Sequence, residues 1–315
     1  MSKIVIATQF GEIMDDYMAA AIPEAQWLRL PPGAPASLPP EVTVLLAATF
    51  PREPDSPLRV RPAGWPFSLK WVQLISAGID SYPDWIFEVP QVSTARGVAA
   101  EPIAEYVLAA IFEHAKKMPR LWIQGPERWK HNMLGMVRDS TLGIVGVGPI
   151  GMALAGKAMA LGMRVQALRR SDTPFELPGI ERATSLSAMF ASCDQVVLAA
   201  PATAHTHHMV DAQVLAQAKP GLHLINIGRG ALIDQEALLA ALSQDRIARA
   251  TLDVTEPEPL PAGHPLYTHP KVRISPHTSA LSNYIREALL AKVKRNLASF
   301  QAGRDPEDLT RGEAD

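Results

Sequence analysis

The chain has 315 residues, 47% of them hydrophobic and 20% charged, with 30 basic against 32 acidic side chains. That length exceeds the roughly 100–200 residues of a usual domain, so two domains with sizeable cores are expected. A formal net charge of -2 leaves no basic surplus for nucleic acid or an anionic membrane, and the single Cys193 excludes an internal disulfide and fits a reducing, cytoplasmic setting.

The opening Met1–Ala7 has neither the long apolar core nor the small-residue cleavage site of a secretory leader, and it reads as a first strand at Ile4–Ala7. Strands follow at Val42–Ala47 and Trp71–Ile75, with a weaker one near Val92. Ten prolines between Leu30 and Pro66 predict stiff, irregular connections there. At Glu101-Pro102 a helix begins, with Ile103, Val107, Leu108, Ile111 and Phe112 at helical spacing, and Pro119 is read as its stop.

Six further strands are predicted at Leu142–Val147, Arg164–Leu168, Gln195–Ala199, Leu222–Ile227, Ala250–Val254 and Val272–Ile274. Several are nearly continuous apolar runs, as strands buried on both faces of a parallel sheet should be. Helical stretches such as Ile150–Leu161 and Gln235–Leu242 separate them, which predicts an α/β protein with a doubly wound parallel sheet. A last helix spans Asn283–Phe300, and the polar tail after Ala302 is expected to fray. The longest uncharged stretch, Thr141–Gly156, is too short and too glycine-rich to span a bilayer.

Gly146-Val147-Gly148-Pro149-Ile150-Gly151 matches the glycine-rich dinucleotide fingerprint. Its setting strengthens it: an apolar strand precedes it and a helix follows. The glycines permit a tight turn and close approach of backbone to pyrophosphate, while the helix start presents free N–H groups and a partial positive charge. The second strand ends in Arg169-Arg170-Ser171, where NAD-binding versions place an acid for the ribose 2′-hydroxyl. An arginine pairs instead with a 2′-phosphate, so NADP(H) is the expected cofactor, with NAD(H) possible.

Asn226-Ile227-Gly228-Arg229-Gly230 follows the fourth strand of this half. Its flanking glycines are read as leaving the Arg229 guanidinium uncrowded, a fixed fork of donors suited to a carboxylate beside a carbonyl. Asp253 closes the fifth strand, Glu258 follows in Thr255-Glu256-Pro257-Glu258-Pro259-Leu260, and Pro276-His277 comes after the sixth. An arginine, an acid and a histidine thus emerge at three successive strand ends.

With these motifs in order and spacing, the chain resembles the D-isomer-specific 2-hydroxyacid dehydrogenase family over nearly its whole length. The resemblance implies a larger Rossmann dinucleotide-binding domain (97–279) inserted into a smaller flavodoxin-like substrate domain (1–96 and 280–315), with reaction in the cleft between them. It implies Arg229 as holder of the substrate carboxylate and oxo group, His277 as acid/base, and Glu258 as its partner, since a nearby carboxylate favours imidazolium. Gly146, Gly148, Pro149, Ile150 and Gly151, then Arg169, Arg170 and Ser171, and finally Pro201, Thr206, Ile227, Gly228 and Asp253 would bind the cofactor. Ser76-Ala77-Gly78-Ile79-Asp80 resembles the family's carboxylate loop, so the N–H groups of Ala77 and Gly78 would contact substrate together with Arg229 and His277. The implied activity is reduction of a small 2-oxo acid, of the glyoxylate or hydroxypyruvate type, to a D-2-hydroxy acid, in a homodimer. The alternatives are NAD-linked oxidation of a larger hydroxy acid and a dinucleotide-sensing module without catalysis.

Three places in the chain depart from the family pattern. Thr255 stands where an aromatic residue is usual, Ser279-Ala280 replaces a Gly-Gly, and Arg96 has no evident role. His205-Thr206-His207-His208 invites a metal reading, but no carboxylate or cysteine flanks it at ligand spacing, so no metal is expected. Trp122 and Trp129 are read as core or dimer packing, and Cys193 as a small apolar residue.

Overall fold

The computed structural model describes residues 3–51, 53, 55–118 and 121–312. Contacts divide the chain into two compact units, one of 1–98 with 283–315 and the other of 99–282. The first holds a five-stranded sheet of β1 (Val5–Thr8), β2 (Gln26–Arg29), β3 (Val42–Ala47), β4 (Trp71–Leu74) and β5 (Gln91–Ser93). The second holds a seven-stranded sheet of β6 (Thr141–Val145), β7 (Arg164–Leu168), β8 (Ile180–Arg182), β9 (Gln195–Leu198), β10 (His223–Asn226), β11 (Arg249–Leu252) and β12 (Val272–Ile274). The helices are α1 (Glu12–Ala21), α2 (Ala100–Ala115), α3 (Pro149–Ala160), α4 (Leu186–Ser192), α5 (Ala212–Ala216), α6 (Gln235–Ser243) and α7 (Tyr284–Gln301).

Every strand pair is parallel, so each connection must cross over and both sheet faces need cover. The first sheet has the order β2-β1-β3-β4-β5, the flavodoxin-like arrangement. Its central strands are buried on both faces, and Ile6, Leu46 and Trp71 pack on one side with Leu289, Val293 and Leu297 of α7. The chain's last helix therefore completes the unit that its first residues begin. The second sheet runs β12-β11-β10-β9-β6-β7-β8, with the direction of winding reversing between β6 and β9. At such a switch point the loops from neighbouring strands part and open a crevice at the carboxyl edge. One core on this sheet gathers α2, α3 and the fingerprint strand, including Val107, Ile111, Ile144 and Leu154. The other lies under α4, α5 and α6. Among the described residues no helix is long and apolar enough to cross a membrane.

One expectation changes, and several elements are added to those expected. Between Ala302 and Gly312 the tail does not fray: Leu309 forms an antiparallel bridge with Ser93, and backbone bonds join Thr94 N–H to Asp308 O (3.0 Å) and Thr310 N–H to Val92 O (2.8 Å). Polarity concealed this, because the segment is held by its backbone and by Asp308, which meets the nearly buried Lys292 ammonium. Lys292 also donates to the Arg96 carbonyl (2.9 Å), which gives that loop a place in the fold through its backbone. The strands β2 and β8 were not foreseen. Both are edge strands of three or four residues with little apolar patterning. The helices α1, α4 and α5 were likewise unforeseen, and Pro119, read as a helix stop, lies outside the described residues.

Candidate active site

The fingerprint turn occupies the switch point. Gly146 has φ 95, a left-handed value that glycine alone adopts freely, and a Cβ there would sit 2.7 Å from Ala200 N in the adjoining loop. A Cβ on Gly151 would meet the Gly146 carbonyl at 2.5 Å, so α3 can press its first turn against the strand end only with glycine at that position. Pro149 opens the helix at its first position, and helix geometry leaves the N–H groups of Ile150 and Gly151 without acceptors in the helix. A cradle of backbone N–H groups that any side chain would fill fits a dinucleotide's pyrophosphate.

At the end of β7, Arg169 donates to the carbonyls of Thr173 and Pro174, lies 5.1 Å from the Phe175 ring centre and keeps its buried Nε without a partner. Arg182, from the end of β8, also approaches Phe175 (4.9 Å) and donates to the Ser171 and Thr173 carbonyls. The turn after Arg170 and Ser171 therefore carries three arginines around one exposed loop. Arg182 escaped sequence reasoning because it reaches the turn through an edge strand with no apolar signal. Beyond β9, the Thr206 hydroxyl donates to the Pro201 carbonyl (2.7 Å) and accepts from Thr203 N–H (2.8 Å), which fixes the loop bearing both residues.

The Arg229 turn is built on close backbone contact. A Cβ on Gly228 would come within 2.8 Å of Ala200 O, and one on Gly230 within 2.1 Å of the Thr255 carbonyl. The flanking glycines are thus needed because two other segments run directly against the turn; the expectation that they merely uncrowd the guanidinium is corrected. Arg229 itself donates through Nη1 to the Gly228 carbonyl (2.8 Å), and the Asn226 side chain ties both ends of the turn.

Gly230 lets the 255–258 segment approach, and that segment holds Glu258. Its Oε1 accepts from Thr255 N–H (3.2 Å), and its Oε2 lies 3.0 Å from His277 Nδ1. Thr255, where the family favours an aromatic residue, also donates from its hydroxyl to the Pro257 carbonyl (2.9 Å) and shapes this loop. With Nδ1 held by a carboxylate, Nε2 is left as the nitrogen able to exchange a proton with a bound molecule. His277 is 40% exposed at its side chain and Glu258 18%, so the imidazole reaches solvent while its partner is sheltered.

Asp253 is only 1% exposed. Its carboxylate accepts from the Ser275 hydroxyl (2.6 Å) and from the N–H groups of Thr278 (2.9 Å) and Ser279 (3.1 Å). The Tyr106 hydroxyl extends the chain to Ser275 (2.6 Å). Asp253 therefore anchors the 275–279 loop that carries His277, a part that its place at a strand end did not disclose. In the first unit, Ala77 and Gly78 follow β4 at the sheet's carboxyl edge, where the Ser76 hydroxyl donates to the Gly78 carbonyl (2.7 Å) and contacts Tyr82. A cavity of about 570 Å³ lined by Glu113, His114, Arg249 and Lys271 opens at the amino ends of the second sheet, away from all of these groups.

Comparison with known proteins adds four findings. Residues 108–279 match the D-isomer specific 2-hydroxyacid dehydrogenase, NAD binding domain family. The chain is 31% identical over 250 residues to glyoxylate/hydroxypyruvate reductase A of Serratia proteamaculans, covering 76% of this chain and 79% of that protein. It is 35% identical over 234 residues to glyoxylate reductase of Korarchaeum cryptofilum, covering 70% and 69%. Its fold matches the NADPH-dependent glyoxylate/hydroxypyruvate reductase of Sinorhizobium meliloti, solved with NADP and malonate, with a TM-score of 0.75, 26% identity, and 99% and 98% coverage.

Proposed function

This chain belongs to the D-isomer specific 2-hydroxyacid dehydrogenase family, and from that premise we propose that it reduces a small 2-oxo acid to the D-2-hydroxy acid with NADPH. It is an NAD(P)-dependent 2-oxo acid reductase; glyoxylate and hydroxypyruvate are the substrates that its relatives' names support. The observation that carries the reading is the 3.0 Å contact of His277 Nδ1 with Glu258, on a loop packed against the Arg229 turn through Gly230.

The nicotinamide cofactor, when bound, supplies the hydride. Gly146, Gly148, Pro149, Ile150 and Gly151 hold its pyrophosphate, and Arg169, Arg170 and Ser171 take the 2′-phosphate, aided by Arg182. Pro201, Thr206, Ile227 and Gly228 border the nicotinamide end, with Asp253 offering the capacity left on Oδ2. Arg229 fixes the substrate carboxylate and its carbonyl oxygen with charge-assisted bonds, which grow stronger as negative charge develops on that oxygen. Ala77 and Gly78 hold the carboxylate through backbone N–H groups. His277 gives its Nε2 proton to the carbonyl oxygen as C2 is reduced, so one hydride and one proton convert the carbonyl to an alcohol. Glu258 keeps the ring oriented for that transfer.

We assign the protein to the cytoplasm, supported by the single, fully buried Cys193, whose thiol burial pushes up to about 11 and keeps unreactive. We assign it a homodimer, supported by the exposed apolar side chains of Trp122, Trp129, Met133 and Met136 in one stretch of the second unit. The reaction is tested by following NADPH and NADH absorbance against glyoxylate, hydroxypyruvate, pyruvate and bulkier 2-oxo acids. Turnover with NADPH on the small acids is expected. Cofactor binding without turnover on any of them would overturn the reductase reading, and turnover with NADH alone would overturn the cofactor assignment.

A further inference from the structure

The loop after β9 carries two adjacent histidines that the reduction does not use. In extended chain, neighbouring side chains point to opposite sides. Here His208 has φ 50, a left-handed value uncommon outside glycine, and its ring folds back onto that of His207. The two imidazoles stack with centres 3.9 Å apart and planes 23° from parallel. Sequence spacing offered them no carboxylate, but the fold supplies one: Glu256, from the loop after β11, brings Oε2 to 3.8 Å from His208 Nε2. One ligand atom from each of His207, His208 and Glu256 lies within 4.8 Å of the others.

We infer that His207, His208 and Glu256 form a binding site for one divalent cation of the zinc class. An ion at about 2.1 Å from each ligand places tetrahedral ligand atoms roughly 3.4 Å apart. The observed 3.8 Å between His208 and Glu256 needs little closing. The backbones are fixed in advance. His208 N–H donates to the Ala231 carbonyl (2.7 Å) and His207 N–H to the Thr203 carbonyl (2.9 Å). Gln235 clamps Glu256 from both sides of its peptide group, accepting from its N–H (3.3 Å) and donating to its carbonyl. The backbone therefore needs no rearrangement, while the two rings must swing out of their stack to aim both in-plane lone pairs at one ion.

The donor set selects the ion. Two imidazole nitrogens and one carboxylate suit zinc and its d-block neighbours, whereas magnesium and calcium demand oxygen. All three residues are exposed, so an ion enters directly from solvent and keeps water in its fourth position. The ion would tie the loop carrying Pro201 and Thr206 to the loop carrying Glu258, two residues beyond Glu256.

The test is calorimetric titration of the full-length protein with zinc chloride in a non-chelating buffer, independent of any activity. One site is expected. His207→Ala, His208→Asn and Glu256→Gln should each weaken it by about tenfold or more, while His205→Ala, in the same loop, leaves affinity unchanged and magnesium chloride gives no binding. Asparagine tolerates the left-handed backbone at 208, so that variant keeps the loop. Saturating zinc should raise the unfolding midpoint of the wild type and His205→Ala but not of the three ligand variants. Absence of zinc binding by the wild type, wild-type affinity in His208→Asn and Glu256→Gln, an equal loss in His205→Ala, or equal binding of magnesium would each overturn the site.

Discussion

His277 occupies a left-handed backbone position, φ 50, and is kept there by its own N–H, which donates to the carbonyls of Asp253 (2.9 Å) and Ser275 (3.0 Å). Strain of this kind, of order 1–3 kcal/mol, persists only where the surroundings over-determine it. Asp253 does so by gathering Ser275, Thr278 and Ser279 onto one buried carboxylate. Arg229 and His277 were legible in the sequence because each stands within a few residues of the end of an apolar strand, and Glu258 because it sits between two prolines in the segment after another. What stayed hidden were partners that the fold alone brings near, such as Arg182 beside Ser171 and Glu256 beside His208. At the same scale, the Arg169 assignment makes a prediction. Arg169→Asp removes a charge-assisted bond to a 2′-phosphate, worth about 1.5–3 kcal/mol, and should lower kcat/KM with NADPH by roughly ten- to hundredfold. NADH efficiency should hold or rise. An unchanged ratio of the two cofactors in steady-state assays would remove Arg169 from the site.

Elements are joined here by glycine contacts as much as by apolar faces. A methyl group on Gly230 must displace the Thr255–Glu256 peptide, so Gly230→Ala should cost about 1–3 kcal/mol of stability and slow turnover by moving Glu258. Gly156, within α3, is the control, since a Cβ there meets nothing closer than 3.8 Å. Gly156→Ala should stabilise by about 0.5–1 kcal/mol. Thermal unfolding and initial rates check both, and a Gly230→Ala protein indistinguishable from wild type would contradict the packing argument. Elements such as β3, β7, α2 and α6 were readable because burial of one or both faces sets their apolar periods. The tail was misread because backbone pairing and the ion pairs of Asp308 and Glu307 with Lys292 and Arg295 hold it, none of which leaves an apolar pattern. Lys292 is 4% exposed at its side chain, and Asp308→Asn leaves its ammonium with only the Arg96 carbonyl and the more distant Glu307 carboxylate (3.9 Å), while tolerating the φ of 52 found there. Losing the closest partner of so buried an ammonium should cost about 1–3 kcal/mol, to be seen as a lowered unfolding midpoint; no change would return the tail to a frayed appendage.

Across the whole molecule, stability should depend on pH through the histidines under the second sheet. His223 is fully buried, bonds Thr251 through Nε2 (2.8 Å), and faces the His114 ring at 4.8 Å, with Arg249 and Glu113 close by. Burial is the main cause holding both histidines below their ordinary value, and Arg249 adds to it. The folded protein therefore keeps them neutral, while the unfolded chain takes up protons below its pKa of about 6.5. Their contribution is present in full above that pH and is lost as pH falls, with His223 giving a slope of up to about 1.4 kcal/mol per pH unit. His223→Gln should flatten the acid limb of the unfolding midpoint between about pH 6.5 and 5; an equally steep limb would refute that source. The central claim, that this fold carries a histidine-driven reduction, is tested most directly by kcat for the wild type and His277→Asn with NADPH and glyoxylate. Asparagine keeps the left-handed turn but cannot transfer the proton, so kcat should fall by about 10²–10⁴-fold with NADPH binding, followed by nucleotide fluorescence, retained. Equal rates for the two proteins would contradict the account.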